Sequence, residues 1–390
     1  MSEFGRAIRS RFFLEPGIAF LNHGSFGTIP RDVFAVAGGW RQRFEVNPDR
    51  FIRETLPPAL REAAGRIAPF LGARAEDITF VDNATAGVNA ILRSLDFAPG
   101  DEILTTDHAY NAILNAIRYV ASRSGAIAVE AAVPMPAASA EAIFKAVTER
   151  FTPRTKLLVI DHITSATALI LPVERLAKFA RERGVRVLVD GAHGPGFLAL
   201  DIPALGADWY VGNCHKWLFA PRGCAVLWAR QDQQAAIKPL SISHGHGKGF
   251  TEEFDWTGTR DPAPYLSAPA GLEFLRGLGV EKVQNHNRAL ALSAAQRMAQ
   301  RWGEPMNAPP ELLGAMAAVR LPPSWQKFGP ATRDTARLLC SRILHRDNIM
   351  VAIMPFGGAL WARVSAQVYN EPADYDGVVS FIDREPPPHA

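Results

Sequence analysis

The chain has 390 residues, 48% of them apolar and 21% charged, and a formal net charge of +3. That length exceeds one compact domain of common size, and the small, dispersed basic excess excludes a nucleic-acid-binding surface built from dense Lys/Arg runs. Three cysteines without a CxxC pair exclude a disulfide framework and a structural zinc site.

Short apolar runs alternate with amphipathic stretches along the first two thirds. Ile78–Val81 reads as a strand, followed by the small and polar residues Asp82-Asn83-Ala84-Thr85-Ala86-Gly87. Glu102–Thr106 is a second strand, with a helix from Asn111 to Ala121 after it. Lys156–Ile160 is a third, and Val173–Arg183 a helix closed by Gly184. Val185–Val189 leads into Asp190, and Trp209–Gly212 into Asn213-Cys214-His215-Lys216-Trp217. Buried strands spaced by helices predict an α/β fold with a mostly parallel sheet. Asp107 and Tyr110, Asp161 and His162, and Asp190 and His193 all follow strands, so they gather on the carboxyl rim, where such sheets bind ligands.

After about residue 255 the pattern changes to long helices and then two strand-like stretches, Ile349–Ile353 and Ala359–Ser365. We read an N-terminal segment (1–20), a large domain (21–255) and a small α+β domain (256–390). A Pro386-Pro387-Pro388 run closes the chain. With no signal-peptide pattern and no apolar run near 20 residues, a cytoplasmic protein without a membrane segment is expected. His244 and His246 sit in a Gly-rich loop without a third ligand, so no metal site is expected.

Three motifs carry chemistry. Lys216 follows an apolar strand, where a lysine either snorkels or offers an amine of depressed pKa for Schiff-base chemistry. Asp190 ends another strand, as a turn cap or as the buried carboxylate that keeps a cofactor pyridine protonated. Ala84 and Thr85 open a helix, as an ordinary N-terminus or as a phosphate cradle.

Together these segments resemble the class V aminotransferase family of fold type I pyridoxal phosphate (PLP) enzymes, and most of all its isopenicillin N epimerase-like branch. The likeness rests on Phe20-Leu21-Asn22-His23-Gly24-Ser25, Asn83-Ala84-Thr85, Asp161–Thr167, Asp190-Gly191-Ala192-His193, Cys214-His215-Lys216-Trp217, Gly258-Thr259 and Arg363-Val364-Ser365, in order over roughly residues 20 to 370. It implies that Lys216 holds PLP as a Schiff base and carries the proton at the substrate Cα. By the same resemblance Asp190 pairs with the pyridine nitrogen, His193 lies near the phenolic oxygen, and Tyr110 stacks on the ring, with His108 the alternative. Ser165 stands where relatives have a residue facing that oxygen. Ala84, Thr85 and His215 would hold the phosphate, and Thr259 would reach a neighbouring subunit's phosphate in a homodimer with shared sites. Asn22, His23 and Arg363 fall on the substrate side, with Arg363 taking the α-carboxylate.

Cysteine desulfurases carry a nucleophilic Cys on a loop shortly before that arginine, and residues 351–363 contain none. Cys340 is expected to be a packed thiol. The expectation is therefore an epimerase or aminotransferase acting at the α-carbon of an amino acid. The alternatives are a C–S lyase that needs no cysteine and a catalytically inactive PLP-fold binding protein. A dinucleotide-dependent oxidoreductase is disfavoured because no GxGxxG follows the early strands.

Overall fold

The computed structural model describes residues 4–137 and 139–384, so the Pro386–Pro388 run lies outside them. The central sheet has seven strands: β1 (Ile78–Val81), β2 (Glu102–Thr106), β3 (Ile127–Ala131), β4 (Thr155–Asp161), β5 (Arg186–Asp190), β6 (Trp209–Asn213) and β7 (Ala225–Ala229). Their spatial order is β1-β7-β6-β5-β4-β2-β3. β3, β2, β4, β5 and β6 pair in parallel. β7 runs antiparallel to both β6 and β1, which returns β1 to the direction of the parallel set. The carboxyl ends of β1, β2, β4, β5 and β6 thus share one rim, and the order doubles back between β2 and β4, where α/β sheets open a crevice.

These strands have nearly continuous apolar sequences because helices cover both faces. The helix Asn111–Ser124 runs one turn further than its sequence suggested and ends at Gly125, whose φ of 76° is the left-handed C-terminal stop. The helix Ala84–Ser94 starts at Asn83, whose side chain accepts from Ala86 N–H.

A second sheet is antiparallel, with β8 (Met316–Arg320), β9 (Ala352–Phe356) and β10 (Ala359–Ser365) in the order β9-β10-β8. The stretch 349–353, expected as one strand, is divided. Ile349–Met350 pairs in parallel with Ala19–Phe20, and Ala352 starts the hairpin with β10. Leu21 ties the first piece to the small sheet: its N–H donates to Met350 O and its carbonyl accepts from Ser365 N–H at the end of β10. The hairpin between β9 and β10 turns on Gly357 and Gly358 alone, at φ 56° and 74°, a conformation that side-chain-bearing residues rarely adopt. The long helix Val280–Trp302 packs on β8, while the preceding helix Ala268–Leu278 packs on Leu56–Ile67, beside the large sheet. No described helix is long and apolar enough to cross a membrane.

Candidate active site

The rim of the large sheet opens into a cavity of about 500 Å³. Lys216 enters it from the turn after β6 and is 8% exposed. Burial, with the charge of Arg363 adding to it, lowers the Lys216 amine from its usual 10.5 to about 7, against the opposing pull of Asp190 and Asp161. Nζ lies 3.1 Å from His193 Nε2, while Trp217 Nε1–H donates to His193 Nδ1 at 3.2 Å. Since Nδ1 accepts, a neutral His193 carries its proton on Nε2 and offers it to an uncharged lysine. Burial holds His193 neutral, well below the usual imidazole range. A neutral buried amine is the form that attacks a carbonyl.

Behind Lys216 the backbone is fixed from the N-terminal segment. His23 Nε2 bonds the Lys216 carbonyl at 3.0 Å, and His23 Nδ1 lies 2.8 Å from Tyr369 OH. His23 is fully buried and does not line the cavity. The geometry therefore gives it the task of holding Lys216 rather than the substrate-side place expected from sequence. The short helix His23–Phe26 points His23 inward and Ser25 towards the cavity. Gly27, at φ 67°, passes so close that a Cβ there would lie 2.2 Å from His215 O.

Asp190 ends β5, is 3% exposed, and accepts Ala192 N–H at 3.0 Å. Asp161 ends β4, is 4% exposed, and lies in register with Asp190. Such neighbours have Cα atoms about 4.8 Å apart. Two full charges at about 5 Å repel by about 3 kcal/mol at an effective dielectric constant of about 20. Burial raises both carboxyls, and the charge of Asp190 raises Asp161 further. The sequence placed Asp161 on the rim without assigning it a role.

The opposite wall carries the first turn of Ala84–Ser94. Ala84 N–H, expected for phosphate, is instead taken by Asn213 Oδ1 at 2.9 Å, and Ala86 N–H by Asn83. Thr85 N–H is left without an acceptor among the described residues, and Thr85 lines the cavity. His215 donates Nδ1–H to Cys224 O at 3.0 Å, leaving Nε2 as the free ring nitrogen, and burial lowers its pKa to about 4. A dianion beside it would favour its protonation. Asn213 and Arg222 also line this wall, and neither was among the residues expected from sequence to hold the cofactor. A free N–H at a helix N-terminus, a hydroxyl, an amide and a guanidinium are a donor set for a phosphate.

Tyr110 is 44% exposed and lines the cavity. His108 points the other way, buried between Thr167 Oγ1 and Val133 O with its ring against Phe356, so it is not available to stack in the cavity. Ser165 lines the cavity, and its carbonyl accepts from Arg363 Nη1. Arg363 Nη2 donates to Asn22 Oδ1 and Ser25 Oγ, both at 2.9 Å, and its buried Nε has no partner. Among the described residues no carboxylate lies within 4 Å of this cation. Burial lowers it to about 10. A desolvated guanidinium with only neutral acceptors is set to take an anion.

Thr259 is exposed and does not line the cavity of its own chain, although its neighbour Arg260 bonds Asp82 at the edge. No cysteine lines the cavity: Cys214 and Cys224 are buried, and Cys340 accepts Ile353 N–H. No cluster of three or more metal-ligating side chains occurs among the described residues.

Residues 52–319 match the model of the class V aminotransferases. The chain is 36% identical to isopenicillin N epimerase of Amycolatopsis lactamdurans over 394 residues, covering 96% of each. It is 32% identical to putative L-cysteine desulfhydrase 1 of Oryza sativa subsp. japonica, covering 95% of this chain and 83% of that one. Its fold matches the apo structure of a cysteine desulfurase from Thermococcus onnurineus NA1 with a TM-score of 0.81, at 20% identity and 98% coverage of both chains. The chain therefore belongs to the class V aminotransferase family of PLP-dependent enzymes. The residues fit that cofactor. Thr85 N–H and His215 answer a phosphate, the Lys216 amine, lowered to about 7, answers an aldehyde, and the buried carboxyl of Asp190 answers a protonated pyridine.

Proposed function

We propose that the protein withdraws the α-proton of an amino acid with Lys216 and returns a proton to the same carbon from the opposite side, an epimerisation or racemisation. The observation that carries this is the buried Lys216 amine, lowered to about 7 and held by His193, with the uncompensated guanidinium of Arg363 buried behind the cavity wall, where it bonds the cavity-lining Ser25 and Ser165. Bound PLP supplies the electron-withdrawing ring that makes the α-proton acidic. Arg363 binds the α-carboxylate and so fixes the Cα–H bond relative to Lys216. Tyr110, exposed in the cavity, is the residue we assign to stack on the cofactor and to exchange the proton on the far side.

A second reading, elimination at a C–S bond, is favoured by the 32% identity to a putative L-cysteine desulfhydrase. It agrees with a cavity that carries no thiol to receive sulfur. Incubating the PLP-loaded enzyme with single L-amino acids in D₂O separates the two. Epimerisation gives the D-isomer with α-deuterium, elimination gives sulfide, pyruvate and ammonia from cysteine, and transamination gives a 2-oxo acid with loaded amino-cofactor. Absence of α-proton exchange with every amino acid would overturn proton removal by Lys216.

The same reading makes the working form a homodimer in which Thr259 of each copy completes the other's phosphate site. Its support is the exposed position of Thr259 on a loop that touches the cavity edge through Arg260 and Asp82.

A further inference from the structure

We propose that Trp217 is a positioning residue that sets the tautomer of His193, so that His193 faces the cavity as an N–H donor and not as a base. The inference deepens the reading above and rests on PLP only for the acceptor that His193 meets when the cofactor is bound.

Trp217 follows Lys216 in the turn after β6, and His193 lies in the turn after the neighbouring strand β5. His193 and Lys216 line the cavity, whereas Trp217, only 2% exposed, does not. The indole is clamped by two rings. Phe197 meets it edge-on with centroids 4.9 Å apart, and the His23 ring also lies 4.9 Å away. This packing aims Nε1–H at His193 Nδ1, 3.2 Å away. An indole nitrogen donates and never accepts. A proton on Nδ1 would set two buried donors against each other, so the single proton of the neutral ring sits on Nε2. Nε2 in turn lies 3.1 Å from Lys216 Nζ. Turning the ring over would put carbon where both nitrogens now have partners, so the same two contacts fix its orientation.

With one nitrogen protonated and the other occupied, His193 has no lone pair for the cavity. It therefore does not compete with Lys216 for the substrate's α-proton. Its Nε2–H needs an acceptor, which the uncharged Lys216 amine supplies in the free protein. The phenolic oxygen would supply it where PLP is bound as the family resemblance implies. An ammonium at Lys216 would lose this bond, so the locked tautomer disfavours it. The other charged or titratable groups that act on His193 are Arg363 from β10, His215 from the turn after β6 and His23 from the N-terminal segment. Those that act on Lys216 are Arg363, Asp190 from β5 and Asp161 from β4. Removing the indole N–H alone leaves every one of these charges in place.

The test uses Trp217→benzothienylalanine, a sulfur isostere that keeps the shape of the indole and lacks its N–H, with Trp217→Phe as an encoded second variant. Nitrogen-15 spectra of the PLP-free proteins at about pH 8, where an ordinary imidazole is neutral, report the tautomer. Signals of His193 are assigned by their loss in His193→Gln. The wild type should show Nε2 protonated and Nδ1 bare, and both variants should shift the proton towards Nδ1. The pH midpoint for covalent PLP attachment should then rise by about one unit, because a bare Nε2 accepts from the Lys216 ammonium. A wild-type His193 protonated on Nδ1 would overturn the proposal. An isostere protein with the wild-type tautomer, or with an unmoved midpoint, would do the same, since the indole would then serve only as packing. The tautomer is read without cofactor, so failure of PLP to attach would sink the PLP reading and leave this result to stand or fall by itself.

Discussion

Arg363→Met tests the chemistry of the substrate's fixed end. In the free protein the guanidinium donates to the Ser165 carbonyl, Asn22 Oδ1 and Ser25 Oγ, all neutral. A hydrogen bond to a neutral acceptor contributes about 0.5–1.5 kcal/mol net, and one to a charged group about 1.5–3 kcal/mol. Exchanging two neutral partners for the two oxygens of a carboxylate therefore gains about 2–3 kcal/mol. At about 1.4 kcal/mol per decade this is a 30- to 150-fold effect, roughly. Arg363→Met should lower kcat/KM for an amino acid by about that factor. The same variant should leave the reaction of the matching amine, which lacks the carboxylate, nearly unchanged, and the absorbance of covalently held PLP intact. Arg363→Lys keeps the charge without the fork and should fall between. If the amino acid and the amine lose activity equally, the arginine supports the fold rather than the carboxylate, and the reasoning fails.

Lys216→Ala should abolish covalent PLP attachment, and borohydride reduction of the wild type should place the pyridoxyl group on Lys216 in peptide maps. Label on Lys178 or Lys238 would refute it. Because the Lys216 amine is lowered to about 7, the wild-type attachment rate should climb as pH rises through 7 and level off above it. A climb continuing towards pH 10 would mean an unperturbed lysine. Gly27→Ala puts a methyl group against His215 O and should cost about 1–3 kcal/mol, read as a lower Tm, with slower PLP attachment. An unchanged melting curve would show that the backbone yields there. Diluting the enzyme until sedimentation reports monomer should remove activity if Thr259 completes a partner's site, and full activity in the monomer would reject sharing.

The strands on the parallel rim were legible because each is a short apolar run followed by a polar residue, and Lys216, Asp190, Tyr110 and Thr85 do line one cavity. Pairings between distant parts of the chain were not legible. Asn213 caps Ala84 across 129 residues, so nothing local told that Ala84 N–H is already used. His23 stands between Asn22 and Ser25, which reach Arg363, yet a single helical turn sends it to Lys216 and Tyr369 instead. The break inside 349–353 has no Gly or Pro to mark it, because its two halves pair with different distant strands, Ala19–Phe20 and Ala359–Ser365. Asp161 stood in view, but its burial beside Asp190 follows from strand register, which apolar runs do not encode.

The turn at Gly357 and Gly358 constrains what this scaffold can become. Persulfide chemistry needs a thiol on a length of chain free to swing towards the substrate. Here the segment ahead of Arg363 is taken up by a ladder that pairs Phe356 with Ala359, and the Phe356 ring rests on His108. A cysteine placed on that turn by point mutation would be held to the rim of the small sheet. A thiol there would need residues inserted into the turn before it could leave the ladder.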